Sequence, residues 1–271
     1  MDKVKRETIF IAGVKVYCEY LVNEKPPILL IHGFASSTYT FHRLIPLLKE
    51  NFSIVALDLP GFGRSEKSKT FIYSFENYAI VIAECIKYFN LERVTIVGHS
   101  MGGQIALYTA KKVPSKISKL ILICSSGYLK RAKKPLIYCS YIPIFRFFVE
   151  YYIRRKDVKK SLENVFYNRT LINEEMMQEF ARPLSEKGFY ISLMRLLRYR
   201  EGDLTSRQLS EIDIPTLLIW GEEDQVVPLS VGKRLVKDLP NADLITYEKT
   251  GHLVTEERTE ELYCHILSYT S

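Results

Sequence analysis

The segment that most narrows the possible folds runs from Val94 to Ala110. An apolar, β-branched stretch, Val94-Thr95-Ile96-Val97, meets the pentapeptide Gly98-His99-Ser100-Met101-Gly102, and residues 103–110 continue with helical spacing. A strand, a tight turn and a helix in this order force the central residue into a strained conformation, and glycines two places before and after it make room for the approaching helix. The Ser100 hydroxyl is then presented at a helix N-terminus, where the positive end of the helix dipole favours developing negative charge. The pentapeptide predicts a nucleophilic serine, and its flanks predict a parallel sheet around it.

The rest of the chain repeats that alternation. Thr8–Ile11 and Lys15–Leu21 read as a hairpin around Ala12-Gly13-Val14. Strands are predicted at Ile28–Ile31, Ile54–Leu57, Val94–Val97, Leu120–Cys124, Thr216–Trp220 and Asp243–Tyr247. Helices are predicted at about 41–50, 75–90, 102–113, 229–239 and 256–269, with Pro114, Pro215 and Pro240 as punctuation. This is an eight-stranded, mostly parallel sheet with helices on both faces, in the doubly wound manner. From about Tyr128 the rhythm gives way to basic, aromatic and helical stretches and returns only near Ile214. The expected organisation is a core of residues 1–127 and 210–271, with residues 128–209 forming a helical cap. The cap should sit over the carboxyl edge of the sheet, where such folds place their ligands.

At 271 residues and 47% hydrophobic, the chain can bury one sizeable core. Its cysteines, Cys18, Cys85, Cys124, Cys139 and Cys264, are odd in number and scattered, so neither a disulfide framework nor a zinc site is expected. The N-terminal residues lack the apolar run of a signal peptide, and no window is long and apolar enough for a membrane span. A cytoplasmic protein is expected. The net charge of +7 is concentrated: residues 128–160 hold ten Lys/Arg against Glu150 and Asp157, a local +8, leaving about −1 elsewhere. No nucleic-acid-binding motif accompanies the basic segment, so nucleic acid is not an expected partner. No metal cluster or cofactor motif is visible in the sequence.

Taken together, Ile31-His32-Gly33-Phe34, the run Asp58-Leu59-Pro60-Gly61-Phe62-Gly63-Arg64-Ser65, Gly98-His99-Ser100-Met101-Gly102-Gly103, the stretch from Gly221 through Asp224 to Pro228, and Gly251-His252 resemble the α/β-hydrolase superfamily, in its cap-bearing, esterase-like form. They occur in the family's order over residues 31–252, with only the insertion unmatched. A serine hydroxyl needs a base and the base needs an orienting acid. Of five histidines, His32 and His99 lie in the oxyanion and elbow loops and His42 and His265 on predicted helices. His252 stands where the order Ser, Asp, His requires the base. Asp224, in the loop after Thr216–Trp220, is preferred as the acid over Asp203 or Glu223, since the position after Leu120–Cys124 offers Ser125-Ser126-Gly127 and no carboxylate. The resemblance implies an oxyanion hole made by the backbone N–H groups of Phe34 and Met101. Asp58–Ser65 reads as a glycine-rich structural turn, because its glycines lack the dinucleotide-binding spacing.

Serine at position 100 supports acyl transfer, so hydrolysis of a carboxylic ester with a small or medium apolar acyl group through an acyl-enzyme is the leading expectation. Phe34, Met101, Tyr138, Val226 and Leu253 are expected to line the substrate pocket. Carbon–carbon hydrolysis of ring-cleavage products is the alternative, although Phe34-Ala35-Ser36-Ser37-Thr38 lacks the Gly-Pro-Gly those enzymes often carry. A slow-hydrolysing or non-enzymatic ligand sensor is a third reading, since fold alone does not settle function. In the insertion, Pro135–Val149 joins an apolar, aromatic stretch to the basic Tyr151–Lys156. Its aromatics either pack on the sheet edge or roof an acyl pocket, and its basic, aromatic surface suits weak contact with an anionic membrane.

Overall fold

The computed structural model describes residues 3–155 and 157–271. Eight strands form one sheet: β1 (Lys5–Ile11), β2 (Val14–Leu21), β3 (Pro27–Ile31), β4 (Ser53–Leu57), β5 (Val94–His99), β6 (Ile117–Ile123), β7 (Thr216–Gly221) and β8 (Ala242–Tyr247). Their spatial order is β1-β2-β4-β3-β5-β6-β7-β8. The β1–β2 hairpin is antiparallel and joins β4 antiparallel, while every pairing from β4 to β8 is parallel. All residues of β4, β5 and β7 are buried. That explains their continuous apolar sequences: a parallel strand covered on both faces has no solvent side to alternate with.

The helices, in chain order, are α1 (Ile45–Leu48), α2 (Phe75–Tyr88), α3 (Met101–Lys112), α4 (Lys134–Cys139), α5 (Pro143–Arg154), α6 (Val158–Glu163), α7 (Glu174–Ser185), α8 (Lys187–Tyr199), α9 (Ser206–Leu209), α10 (Leu229–Asp238), α11 (Val254–Glu257) and α12 (Thr259–Thr270). Two expected helices are divided. In place of one helix over 41–50 there is a 3-10 turn at Thr38–Phe41, capped by the Ser37 side chain, and then the short α1 with Pro46 in its first turn. Proline has no N–H to continue a ladder from the preceding turn. The helix expected over 256–269 begins at Val254 and breaks at Arg258, whose φ of −138° is not helical. The Arg258 guanidinium instead reaches the Thr250 hydroxyl at 3.0 Å and the Glu248 carbonyl at 2.9 Å.

Helices α4–α9 all lie between β6 and β7. This insertion is tied at its neck. The Asp203 N–H donates to the Leu129 carbonyl at 2.7 Å, and the Leu129 N–H donates to Asp203 Oδ2 at 3.0 Å. Leu204, Leu209 and Ile212 beyond the neck are already part of the main core. Burial pushes the Asp203 carboxyl up to about 6, against the opposing pull of the Leu129 N–H and of Arg200, whose Nη1 lies 3.5 Å from Oδ1. A raised carboxyl keeps its proton in the folded protein where the unfolded chain has released it. This group's contribution to stability therefore falls as pH rises from about 4 and is fully lost above about 6. Asp203→Asn keeps an acceptor for Leu129 without the buried charge. The melting temperature of this variant minus that of wild type should grow as pH rises through that window. A difference that stays constant in melting curves across the window would remove Asp203 as the titrating group.

Candidate active site

The parallel strands all point their carboxyl ends to one edge, and the loops leaving that edge carry the residues singled out in the sequence. Ser100 follows β5 with φ 53° and ψ −119°, a strained setting of the kind that costs on the order of 1–3 kcal/mol and clusters at functional sites. Its N–H donates to the Ile123 carbonyl at 2.9 Å, and its carbonyl accepts from Gly103 and Ser126, both at 3.0 Å. The elbow is thus pinned to the end of β6. A Cβ on Gly98 would lie 2.5 Å from the Gly102 carbonyl oxygen, and one on Gly102 would lie 2.2 Å from that of Ile31. Only glycine at both places lets α3 start directly on top of the sheet.

His252 Nδ1 lies 2.7 Å from Asp224 Oδ2, with both side chains almost wholly buried. The other carboxylate oxygen of Asp224 accepts the N–H groups of Val226 at 2.8 Å and Val227 at 2.9 Å. Both oxygens are therefore committed, and the acid is fixed in one orientation. Ser100 and His252 line the same cavity. No hydrogen bond joins them among the described residues; such contacts are often long in substrate-free sites and tighten on binding. The Phe34 and Met101 N–H groups donate to no protein acceptor among the described residues, while Gly33 packs so closely that a Cβ there would be 3.0 Å from the Ser100 Cβ.

His99 and His32 are supports. His99 Nε2 donates to the His252 carbonyl at 3.0 Å, and burial, reinforced by the neighbouring His252, pushes its pKa down to about 3. It stays neutral beside His252. His32 donates from Nδ1 to the Gly33 carbonyl at 2.7 Å and accepts the Leu59 N–H on Nε2 at 2.9 Å, with burial lowering its pKa. The Asp58 turn is structural, as expected: its carboxylate accepts the N–H groups of Thr38 and Arg64, each at 2.6 Å.

One support had no counterpart in the sequence reading. Glu257 accepts three backbone N–H groups: Gly251 at 2.7 Å, Tyr167 at 3.1 Å and Asn168 at 2.7 Å. The His252 N–H also donates to the Val165 carbonyl at 2.8 Å. The turn that bears His252 is thereby bound to the insertion.

Two cavities meet at Ser100, of about 380 Å³ and about 460 Å³, and Phe34, Leu193 and Val226 line both. The smaller is walled by the insertion through Ile153, Leu162, Phe180, Leu184 and Phe189, together with Leu253, and among the described residues no charged side chain lines it. The larger takes in Met101, Leu129, Leu196, Leu197 and Arg200. Tyr138 is a correction: it lines neither cavity and is 67% exposed. On α4 Ile137 and Cys139 are half-buried, and Ser140, which caps the helix three places after Ile137, is buried; Ser140 Oγ accepts from Arg198 Nε at 3.0 Å. A residue one place after Ile137 is rotated by about 100° from it.

Cys124, Asp224 and His252 place potential ligand atoms within 4.8 Å of one another. Burial and the Asp224 carboxylate raise the Cys124 thiol pKa, so it stays protonated, and His252 Nδ1 and Asp224 Oδ2 are hydrogen-bonded to each other.

The sequence pattern of the alpha/beta hydrolase fold family matches residues 26–259. The chain belongs to that family. Among similar proteins, this hydrolase is 44% identical over 270 residues to the uncharacterized hydrolase YugF of Bacillus subtilis (strain 168), covering 99% of this chain and 98% of that one. It is 27% identical over 249 residues to the monoacylglycerol lipase ABHD6 of Homo sapiens, covering 86% and 72% respectively. A meta-cleavage product hydrolase from Pseudomonas fluorescens IP01 superposes with a TM-score of 0.82 at 22% identity, covering 98% of this hydrolase and 97% of that chain, and shares its fold.

Proposed function

We propose that this hydrolase cleaves carboxylic esters of small or medium apolar acyl groups, with Ser100 as nucleophile, His252 as base and Asp224 as its orienting acid. The observation that carries the reading is the position of Ser100 at the junction of two cavities, the smaller having no charged lining residue among the described residues. An acyl chain fits the smaller cavity and the alcohol portion the larger, with residues 128–209 as the cap that roofs them. In this reading His252 Nε2 takes the Ser100 hydroxyl proton as Oγ adds to the ester carbonyl. The oxyanion is received by the Phe34 and Met101 N–H groups. Collapse expels the alcohol, which takes the proton from His252. Water, deprotonated by His252, then adds to the acyl-serine, and a second collapse frees the acid and returns the proton to Ser100 Oγ.

The similarity to a monoacylglycerol lipase supports an acyl ester. Carbon–carbon hydrolysis of ring-cleavage products is less well served, because those substrates are carboxylates and need a cation. Arg200, the one cation among the described residues lining either cavity, is engaged with Asp203 at 3.5 Å and with the Lys130 carbonyl at 3.3 Å. The five cysteines are all unpaired, which fits a reducing cytoplasm. Among the described residues, no helix is long and apolar enough to cross a membrane. The test is turnover of a chain-length series of p-nitrophenyl esters beside a ring-cleavage dienoate. Short and medium esters should be hydrolysed with kcat/KM at least about tenfold above the dienoate, a barrier difference of about 1.4 kcal/mol. Faster cleavage of the dienoate, or no turnover of any ester, would overturn the reading.

A further inference from the structure

Helix α5 is apolar on two sides. Phe145, Val149 and Ile153, spaced by four, pack inward, and Ile153 reaches the cavity wall. A surface helix normally turns polar residues outward from such a stripe. Here the outward positions are Ile144, Phe147, Phe148 and Tyr151, exposed by 73%, 57%, 66% and 56%. Tyr138, Tyr141 and Ile142, just before the helix, are also more than half exposed. Apolar side chains in this number on one short stretch mark an interaction surface rather than scattered exposure.

The charges around the patch point to its partner. Lys130, Arg131, Lys133 and Lys134 precede it and Arg155, Lys159 and Lys160 follow it, all exposed. Arginines lie over the exposed rings: Arg155 stands 4.1 Å from the centre of the Tyr151 ring and Arg146 4.7 Å from that of Phe147. A second copy of the chain would bring the same positive field against this one. An anionic surface with an apolar interior satisfies both the charge and the side chains.

We infer that the outer face of α5, with the turn before it, docks the protein onto an anionic lipid bilayer. Ile144, Phe147 and Phe148 enter the headgroup–acyl boundary and the flanking lysines and arginines bind lipid phosphates, in the manner of an in-plane amphipathic helix. One side of α5 then rests on lipid while the other walls the cavity at Ser100. The docking stands independently of the ester reading, because no residue of the patch named here lines either cavity.

Flotation of the purified full chain with vesicles tests it, using phosphatidylglycerol mixed into phosphatidylcholine against phosphatidylcholine alone. Wild type should float with the anionic vesicles, stay unbound with the neutral ones and be released by high salt. The double variant Ile144→Ser/Phe148→Ser should lose at least about tenfold in vesicle affinity, since two of the three apolar side chains that enter the boundary become polar. Its turnover of a soluble short-chain ester should match wild type, which shows the variant folded. Wild type that does not prefer anionic vesicles overturns the proposal, as does a folded variant that binds like wild type. So does light scattering that finds a wild-type dimer which the double variant converts to monomer. Vesicle binding by wild type without ester turnover would overturn the substrate assignment and leave the docking intact.

Discussion

Replacing Ser100 by alanine is expected to lower kcat for a short acyl ester by about 10⁶-fold, the scale on which removal of the serine of a triad acts in a studied protease. The loss is large because nothing else at the elbow can form the acyl-enzyme. Residues 99 and 101 are His, with its ring hydrogen-bonded to the His252 carbonyl, and Met. The variant should fold, because the contacts that pin position 100 are made by its backbone N–H and carbonyl. Steady-state hydrolysis and fluorophosphonate labelling read the same loss. Activity within about tenfold of wild type, a change of only about 1.4 kcal/mol in the barrier, would dismiss Ser100 as the nucleophile.

Asp224→Asn should cost about 10⁴-fold in kcat, as the corresponding change does in a serine protease, with little effect on KM. The geometry gives the reason. One oxygen of Asp224 is occupied by the Val226 and Val227 N–H groups, so an asparagine must turn its own carbonyl toward them and its NH2 toward His252. His252 Nδ1, 2.7 Å away in the wild-type protein, then has to accept a hydrogen bond instead of donating one. The ring's proton moves to Nε2, and the nitrogen meant to receive the Ser100 proton no longer can. Because Ser100, His252 and Asp224 act as one unit in the proposed mechanism, the double variant Ser100→Ala/Asp224→Asn should be no slower than Ser100→Ala alone. Fully additive losses in the double variant would mean that Asp224 acts on something other than His252.

The sheet was legible because its central strands are buried on both faces and so appear as unbroken apolar runs; all eight predicted strands are present, each extended by one to three residues, except that β6 ends at Ile123 rather than Cys124. The elbow was legible because GxSxG there is a steric requirement, met by backbone atoms within 2.5 Å of the absent Cβ positions. Less readable was anything set by how one helix faces another. Tyr138 is a large aromatic in an aromatic stretch, and only the contact of α4 with α8 decides that Ile137 turns inward and Tyr138 outward. Helix segmentation near Thr38–Leu48 was lost to a single proline inside an otherwise periodic pattern. Glu257 was invisible for a different reason: its partners are backbone N–H groups, two of the three 89 and 90 residues away, and backbone leaves no mark in a sequence.

The hydrogen bonds of Val165, Tyr167 and Asn168 to the turn bearing His252 bear on how this protein could be re-engineered or has diversified. A lid attached only at its neck can be exchanged between relatives like a cartridge, carrying specificity with it and leaving the chemistry behind. Here the segment 165–168 is also a bracket for the turn bearing His252, through the Val165 carbonyl and the Glu257 carboxylate. A chimera that replaces all of residues 128–209 would keep Ser100 and Asp224 in place but loosen His252, whereas one that spares 165–168 would hold all three as they are. The freedom to vary therefore lies in α4 and α5, the part of the insertion farthest in sequence from that bracket on its amino-terminal side.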